Sequence, residues 1–362
     1  MRVFVTGGTG FIGWRLVQKL LRKGHSVWAL ARSEAGADRL QQVGATVVWG
    51  DILDPESIRD VIRDSDLVFH LAAWYKLGSL DWETAEQVNV TGTHNVLSLA
   101  YELGVPKIIY TSTINVLGNT RGRIVDESYH MPVEGRRSFL SEYDRTKWKA
   151  HYEVAQPLIE KGAPIIIVMP AAVYGPGDPS LVGDLMRAYY KGLFPLFPGP
   201  ETKLAPVHVD DVAEGHLLAA EKGRIGESYL LAGPELSFRE MAKLWSQVSG
   251  KPAPLAFIPA SYLQRIAPLV GEIQKILPLP PMLSQDGTRI MGVTYLGSSE
   301  KAQRELGWQA RPFEEGFRET FESLAEKETS SISIKPRQRV AAGLVIAALA
   351  GILIWRRIRK AN

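Results

Sequence analysis

Tyr143 and Lys147, in the run YDRTK, stand four residues apart. On a helix that spacing puts both side chains on one face, one turn apart. Of the twelve tyrosines in the chain, only Tyr143 has a lysine at that offset. The pair suits a reaction in which a proton moves on a substrate oxygen. A free phenol, with a pKa near ~10, is poorly matched to that task at neutral pH, and a neighbouring ammonium favours the phenolate. A second chemical feature lies at the N-terminus, where GGTGFIG places glycines at 7, 10 and 13. A short strand pattern, MRVFVT, precedes it and a helical pattern, WRLVQKLLRKG, follows. A glycine turn at a helix start aims backbone N–H groups and the helix dipole at one point, which favours an anion such as a pyrophosphate. The first glycine permits the tight turn, and the others let phosphates and strand approach closely.

Alternating strands and helices must position these groups. HSVWALAR, ending at Arg32, and ATVVWGD, ending at Asp51, read as strands. PESIRDVIRDS reads as a helix opened by Pro55, DLVFHLAA as a buried strand, and AEQVNVTGTHNVLSLAYELG as a long helix ending on Gly104. KIIYTST and PIIIVMPAAVYGPGD are continuous apolar strands of the kind a parallel sheet buries on both faces. The expectation is α/β: a Rossmann-type doubly wound parallel sheet, a smaller C-terminal substrate domain and a C-terminal hydrophobic helix. The expected boundaries are 1–175 for the dinucleotide domain and 176–326 mainly for the substrate domain, with some of its elements returning to the sheet. A linker over 327–339 and a membrane-anchor helix over 340–355 follow.

Composition narrows the class. The chain has 362 residues and no cysteine, which excludes disulfides, thiolate nucleophiles and Cys-ligated metals and fits a reducing compartment. The N-terminus lacks the features of a signal peptide. The net charge of +3 belongs to the tail. From Lys335 onward there are seven Lys or Arg and no acid, leaving 35 basic against 39 acidic residues before it. That body lacks the basic balance of a nucleic-acid binder, so nucleic acid is excluded as a partner. The seven histidines show no metal-ligand spacing, no metal is expected, and the acids of VHVDD read as a helix-opening cap beside His208. The Phe residues of GLFPLF read as packing or lid residues, with a substrate-facing role open for some.

The motifs TGGTGFIG, GDILD, HLAA, NVTGT, YTST, YDRTK and VHVDDVA, in this order, resemble those of the extended short-chain dehydrogenase/reductases, the epimerase/dehydratase superfamily. The likeness covers about residues 1–325. MPAAVYGPGD and VHVDDVAEGHLLAAEKGRIGESYLLAG are most similar to the dihydroflavonol-reductase-like and hopanoid-associated branch, and YTSTINVLG is similar to the 3β-hydroxysteroid dehydrogenases. The resemblance implies an NAD(P)-dependent oxidoreductase in which Tyr143 is general acid/base and Lys147 also binds the nicotinamide ribose. Thr113 would hydrogen-bond the substrate oxygen, with Ser112 able to share the role. Asn89 would steady the active-site strand. Gly7, Gly10, Phe11, Ile12 and Gly13 would hold the dinucleotide, with Leu71, Ala72 and Ala73 of HLAA, and with Pro170 and Val173. Asp51 and Ile52 match the position that contacts adenine, although Asp51 could simply cap the following turn.

The strand ending at Arg32 should lie over the adenosine ribose. An acid there selects NAD, whereas an arginine accommodates a 2′-phosphate. Arg32 and Ser33, with no acid before Glu34, favour NADP and leave NAD open. Ile114 and Asn115 follow Thr113 where sugar 4,6-dehydratases resemble one another in an Asp-Glu pair, so that elimination lacks its acid and base. VMPAAVYGPGD also lacks the asparagine with which nucleotide-sugar epimerases help to hold a diphosphate. The expected reaction interconverts a secondary alcohol and a ketone on a small, fairly apolar molecule. A nucleotide-sugar epimerase with tightly bound NAD is the alternative, and a non-catalytic dinucleotide sensor the third reading. Val340 to Trp355 are sixteen uncharged, mostly apolar residues bracketed by Arg337 and Arg339 and by Arg356, Arg357, Arg359 and Lys360. As a helix they would reach about 24 Å, short of a ~30 Å hydrocarbon core. The expectation is a membrane-associated protein with its catalytic domain on the cytoplasmic side, full spanning and a homodimer both being left open.

Overall fold

The computed structural model describes residues 1–76, 81–132, 139–193, 196–274 and 285–330. Seven parallel strands form one sheet: β1 (Arg2–Thr6), β2 (Ser26–Ala31), β3 (Thr46–Trp49), β4 (Leu67–His70), β5 (Ile108–Thr111), β6 (Ile165–Pro170) and β7 (Ser228–Leu231). Their order is β7-β6-β5-β4-β1-β2-β3, and every pairing in the sheet is parallel. All six residues of β6 are buried, as a strand covered on both faces must be. The order reverses between β1 and β4, and a crevice opens there at the carboxyl ends.

The glycine turn sits at that crevice. It leads from β1 into helix α1 (Phe11–Arg22), which buries Leu16, Val17 and Leu20. Gly7 has φ +74°, and a Cβ on it would stand 2.6 Å from the Ala72 amide nitrogen at the end of β4. A Cβ on Gly13 would lie 2.1 Å from the Gly7 carbonyl oxygen. Only glycine lets α1 approach its own turn this closely. Gly10 differs, since its added Cβ would meet nothing but the Gly7 oxygen, at 3.1 Å.

Two apolar cores result. The larger surrounds the sheet. The smaller gathers Tyr174, Leu185, Met186, Phe197, Phe238, Trp245 and Phe317 from the C-terminal half. Phe197 is fully buried there, which gives it the packing role, while Phe194 lies outside the described residues. The second half also returns to the first, because Ser228–Leu231 joins the sheet as β7 and the helix Val209–Lys222 packs on α1.

Several elements differ from the sequence expectation. PIIIVMPAAVY is not one strand: β6 stops at Pro170, and Val173–Tyr174 pairs separately with Val207–His208 as the chain crosses to the second core. The long helix spans 82–102 with a π-helical segment over Gln87–Thr91. The helix carrying the YDRTK motif spans 142–160 and widens likewise over Ala150–Ala155. The last helix, Phe313–Ser330, continues into the stretch read as a linker, where Glu and Lys are good helix formers. Among the described residues no helix is long and apolar enough to cross a membrane, and the hydrophobic tail lies outside them.

The close approach at Gly13 is testable. Gly13→Ala forces a methyl against backbone and should cost about 1–3 kcal/mol of stability, read as a lower urea midpoint. A midpoint equal to that of the parent would contradict the geometry.

Candidate active site

A cavity of about 440 Å³ occupies the crevice. It brings together Gly7, Gly10, Phe11, Ile12 and Gly13 with Leu71 and Ala73 from the end of β4. Ser112, Thr113, Tyr143, Lys147, Pro170 and Val173 complete this inner wall. The first turn of α1 opens into it. Gly10, the N-cap, supplies no side-chain acceptor, and no acid occupies the first turn. The uncapped amides and the bare face of Gly10 form a cradle that fits a pyrophosphate.

Tyr143 and Lys147 project from the start of the helix at 142–160. Ser141 caps that start, its Oγ accepting from the Asp144 amide at 3.1 Å. Lys147 is 2% exposed, and its Nζ donates to the Thr111 carbonyl at 2.8 Å and to the Tyr110 hydroxyl at 3.1 Å. Burial pulls its pKa down to about 7. The direct partner of Tyr143 is Thr113. Burial pushes the phenol above its ordinary range, the Thr113 hydrogen bond pulls it back, and the nearby Asp144 carboxylate raises it further. Thr113 also caps the turn at Ile114–Leu117, accepting from the Asn115 amide at 3.3 Å. Ser112 has a different engagement, since its Oγ lies 2.9 Å from His151 Nδ1.

Five of the sequence-derived cofactor residues do not line this cavity: Arg32, Asp51, Ile52, Ala72 and Asn89. Asn89 is fully buried and braces its surroundings instead. Its Oδ1 accepts from the Trp74 amide at 2.7 Å, and its Nδ2 donates to the Trp74 carbonyl and to Thr146 Oγ1 at 2.9 Å. It thereby ties the loop after β4 to the Tyr143 helix, which is a positioning task. Ala72 supplies the backbone against Gly7. Ile52 is buried against Gly92. Arg32 stands at the edge with its side chain 62% exposed, 3.6 Å from Asp51.

Further side chains take up positions that the sequence did not assign. Tyr75 packs edge-on to Tyr143, ring centroids 4.8 Å apart. Asn115 Nδ2 donates to Asp144 Oδ1 at 2.7 Å, and the Tyr295 hydroxyl, arriving from the C-terminal half, lies 3.4 Å from Asp144 Oδ2. Arg39, from the helix Glu34–Gln42, lies 4.0 Å over the Trp14 ring and donates to the Thr9 carbonyl of the glycine turn. Tyr75, two residues beyond HLAA, Asn115 within YTSTINVLG and Asp144 within YDRTK each carried a local signal.

His208, Asp210 and Glu319 bring ligand-type atoms within 4.8 Å of one another. The chemistry of the donors argues for a cap. His208 Nδ1 accepts from the Asp210 amide at 3.3 Å, which puts the proton of the neutral ring on Nε2. Arg311 holds Glu319 and Asp211, each at 2.9 Å, and Arg15 stands 3.6 Å from Asp210. The cap at this helix is therefore the imidazole, and the acids are ion-paired, in contrast to the expectation that the acids did the capping.

Comparison with known proteins agrees with this geometry. The family model described as NAD dependent epimerase/dehydratase family matches residues 3–232. A dihydroflavonol 4-reductase-like protein of Synechocystis sp. is 32% identical over 311 residues, covering 84% of this chain and 89% of the relative. The 4-hydroxy-2-methyl-3-oxo-4-farnesyl-3,4-dihydroquinoline-1-oxide ketoreductase of Stigmatella aurantiaca is 32% identical over 318 residues, covering 86% and 92%. The crystal structure of gox2253 superposes with a TM-score of 0.77 at 32% identity, covering 90% of this chain and 98% of that one. With the glycine cradle, the Tyr143–Lys147 pair and these matches in hand, the chain belongs to the NAD dependent epimerase/dehydratase family and is an NAD(P)-dependent oxidoreductase of the extended short-chain type.

Proposed function

We propose that the protein is an NADP(H)-linked reductase that interconverts a secondary alcohol and a ketone on a small, fairly apolar molecule. The observation that carries the reading is the outer wall of the cavity. Leu181, Val182, Leu185, Leu204, Phe238 and Met291 line it, and among the described lining residues Lys147 is the only charged one. A nucleotide sugar would bury a diphosphate there without a cation to meet it, at high desolvation cost. The ketoreductase relative, whose printed substrate carries a farnesyl group, agrees with an apolar wall.

The glycine turn and Lys147 would hold a reduced dinucleotide, which would supply hydride chemistry there. Thr113 and Tyr143 orient the substrate oxygen, and Tyr143 delivers the proton to it. The Lys147 ammonium stabilises the phenolate that remains. In the oxidative direction the same phenolate takes the proton back. Arg32 supports the 2′-phosphorylated cofactor, since a phosphate there would meet a cation and displace only an exposed ion pair. The apolar tail between basic clusters supports attachment to a membrane, which suits an enzyme of apolar substrates.

Three experiments follow. In a panel of ketones assayed with NADPH, Tyr143→Phe should cut turnover by a factor on the order of 10² or more while NADPH affinity barely changes. Near-normal turnover in that variant would refute the mechanism, and purification with tightly held NAD plus turnover of a UDP-sugar would favour the epimerase instead. Arg32→Asp should weaken NADPH binding by at least about tenfold and leave NADH binding unchanged; equal NADPH affinity would remove the assignment. Full-length protein should sediment with membranes and resist carbonate extraction, and recovery in the soluble fraction without detergent would defeat the anchor.

A further inference from the structure

The interior of the sheet carries one row of polar side chains. Thr6 on β1 is in register with His70 on β4, and His70 with Tyr110 on β5. All three are 0% exposed, amid mostly apolar strands. Polar groups so buried are costly unless hydrogen-bonded. Here each finds a partner in series. Lys147 Nζ donates to the Tyr110 hydroxyl at 3.1 Å. Tyr110 is hydrogen-bonded to Thr93, which enters from the helix at 82–102. Thr93 Oγ1 lies 3.0 Å from His70 Nε2, and His70 Nδ1 lies 2.7 Å from Thr6 Oγ1. Thr6 Oγ1 in turn accepts from the Ala72 amide, the group packed against Gly7.

We propose that these four residues, Tyr110, Thr93, His70 and Thr6, form a one-directional hydrogen-bond wire that holds the Lys147 ammonium and supports its charge, tying it to the glycine turn. An ammonium can only donate, so the Tyr110 oxygen accepts from Lys147 and its own proton goes to Thr93. The Thr93 hydroxyl then donates to His70 Nε2. That leaves the imidazole proton on Nδ1, donating to Thr6. The row ends at the Thr6 hydroxyl, which accepts from both His70 Nδ1 and the Ala72 amide. His70 is a suitable link because burial and the Lys147 charge hold its pKa down to about 3, so the ring stays neutral. These are positioning residues, since none but Tyr110 touches Lys147. The titratable groups facing Lys147 are Tyr110 from β5, His70 from β4, and Tyr143 and His151 from its own helix. None of these is an acid, so among the described residues the ammonium leans on neutral oxygens alone.

The inference rests on Lys147 being the catalytic cation, but its test does not need turnover. Full-length protein labelled with [6-13C]lysine is titrated by NMR, the Lys147 signal being the one lost in Lys147→Met. The parent midpoint should lie near 7. Tyr110→Phe removes an acceptor of the charged form and should lower the midpoint by about one pH unit, tenfold in the protonation constant. Thr93→Val should move it in the same direction, and Thr93→Ser should restore it. The 15N shifts of the His70 ring should report the neutral Nδ1–H tautomer. An unchanged midpoint in Tyr110→Phe, an unchanged midpoint in Thr93→Val, or an Nε2–H tautomer at His70 would each overturn the wire. If instead Lys147→Met kept ketone reduction intact, the catalytic reading would fall while the titration result stood.

Discussion

A positive charge buried without a counter-charge among the described residues is the constraint around which the site is organised. Lys147 is almost fully enclosed, and its ammonium meets a phenol and a backbone carbonyl in place of a carboxylate. Burial draws its pKa from 10.5 down to about 7, on the order of 5 kcal/mol against the charged form. Between those values the unfolded chain binds the extra proton, so this group's burden on stability is full below pH 7 and lifts as pH rises towards 10.5. A charge so weakly held must be fixed by geometry. The end of β5, the Ser141-capped start of the Tyr143 helix and the π-helical segment at 87–91 each contribute to it.

The same geometry explains why the cleft has two chemically different walls. On the inner side, glycines without side chains let α1 press against β1 and β4, leaving backbone amides to face the cavity. On the outer side, the second core pushes leucines, Phe238 and Met291 into the cavity. The two halves are stitched beside Tyr143 by neutral and acidic side chains, Asn115 to Asp144 to Tyr295. Further away the same seam is closed by ion pairs, Arg311 to Asp211 and Glu319. The charges thus lie behind the catalytic face, where they raise the phenol or lock helices, and not in the substrate wall. That distribution of charge is what supports the proposal of an apolar carbonyl substrate.

Local pattern carried much of this protein. The glycine spacing, the offset of Tyr143 and Lys147, and the strand–helix alternation are short-range features, because turns, helix faces and pleats are decided within a few residues. They were enough to name the family and most of the residues that line the inner wall of the cavity. Register across the sheet and the packing of distant segments are not short-range. That Thr6, His70 and Tyr110 share one row follows from strand order, although each sits inside a motif that reads as something else. Tyr295 reaches Asp144 across 151 positions of chain, and no periodicity announces that. The tertiary structure also decided the partners of residues that the sequence had identified: Asn89 braces Trp74 and Thr146, Ser112 Oγ lies beside His151, and His208 took the capping role given to its acidic neighbours. In each case the side chain's type allowed several partners, and only the long-range fold decided which partner was within hydrogen-bond distance.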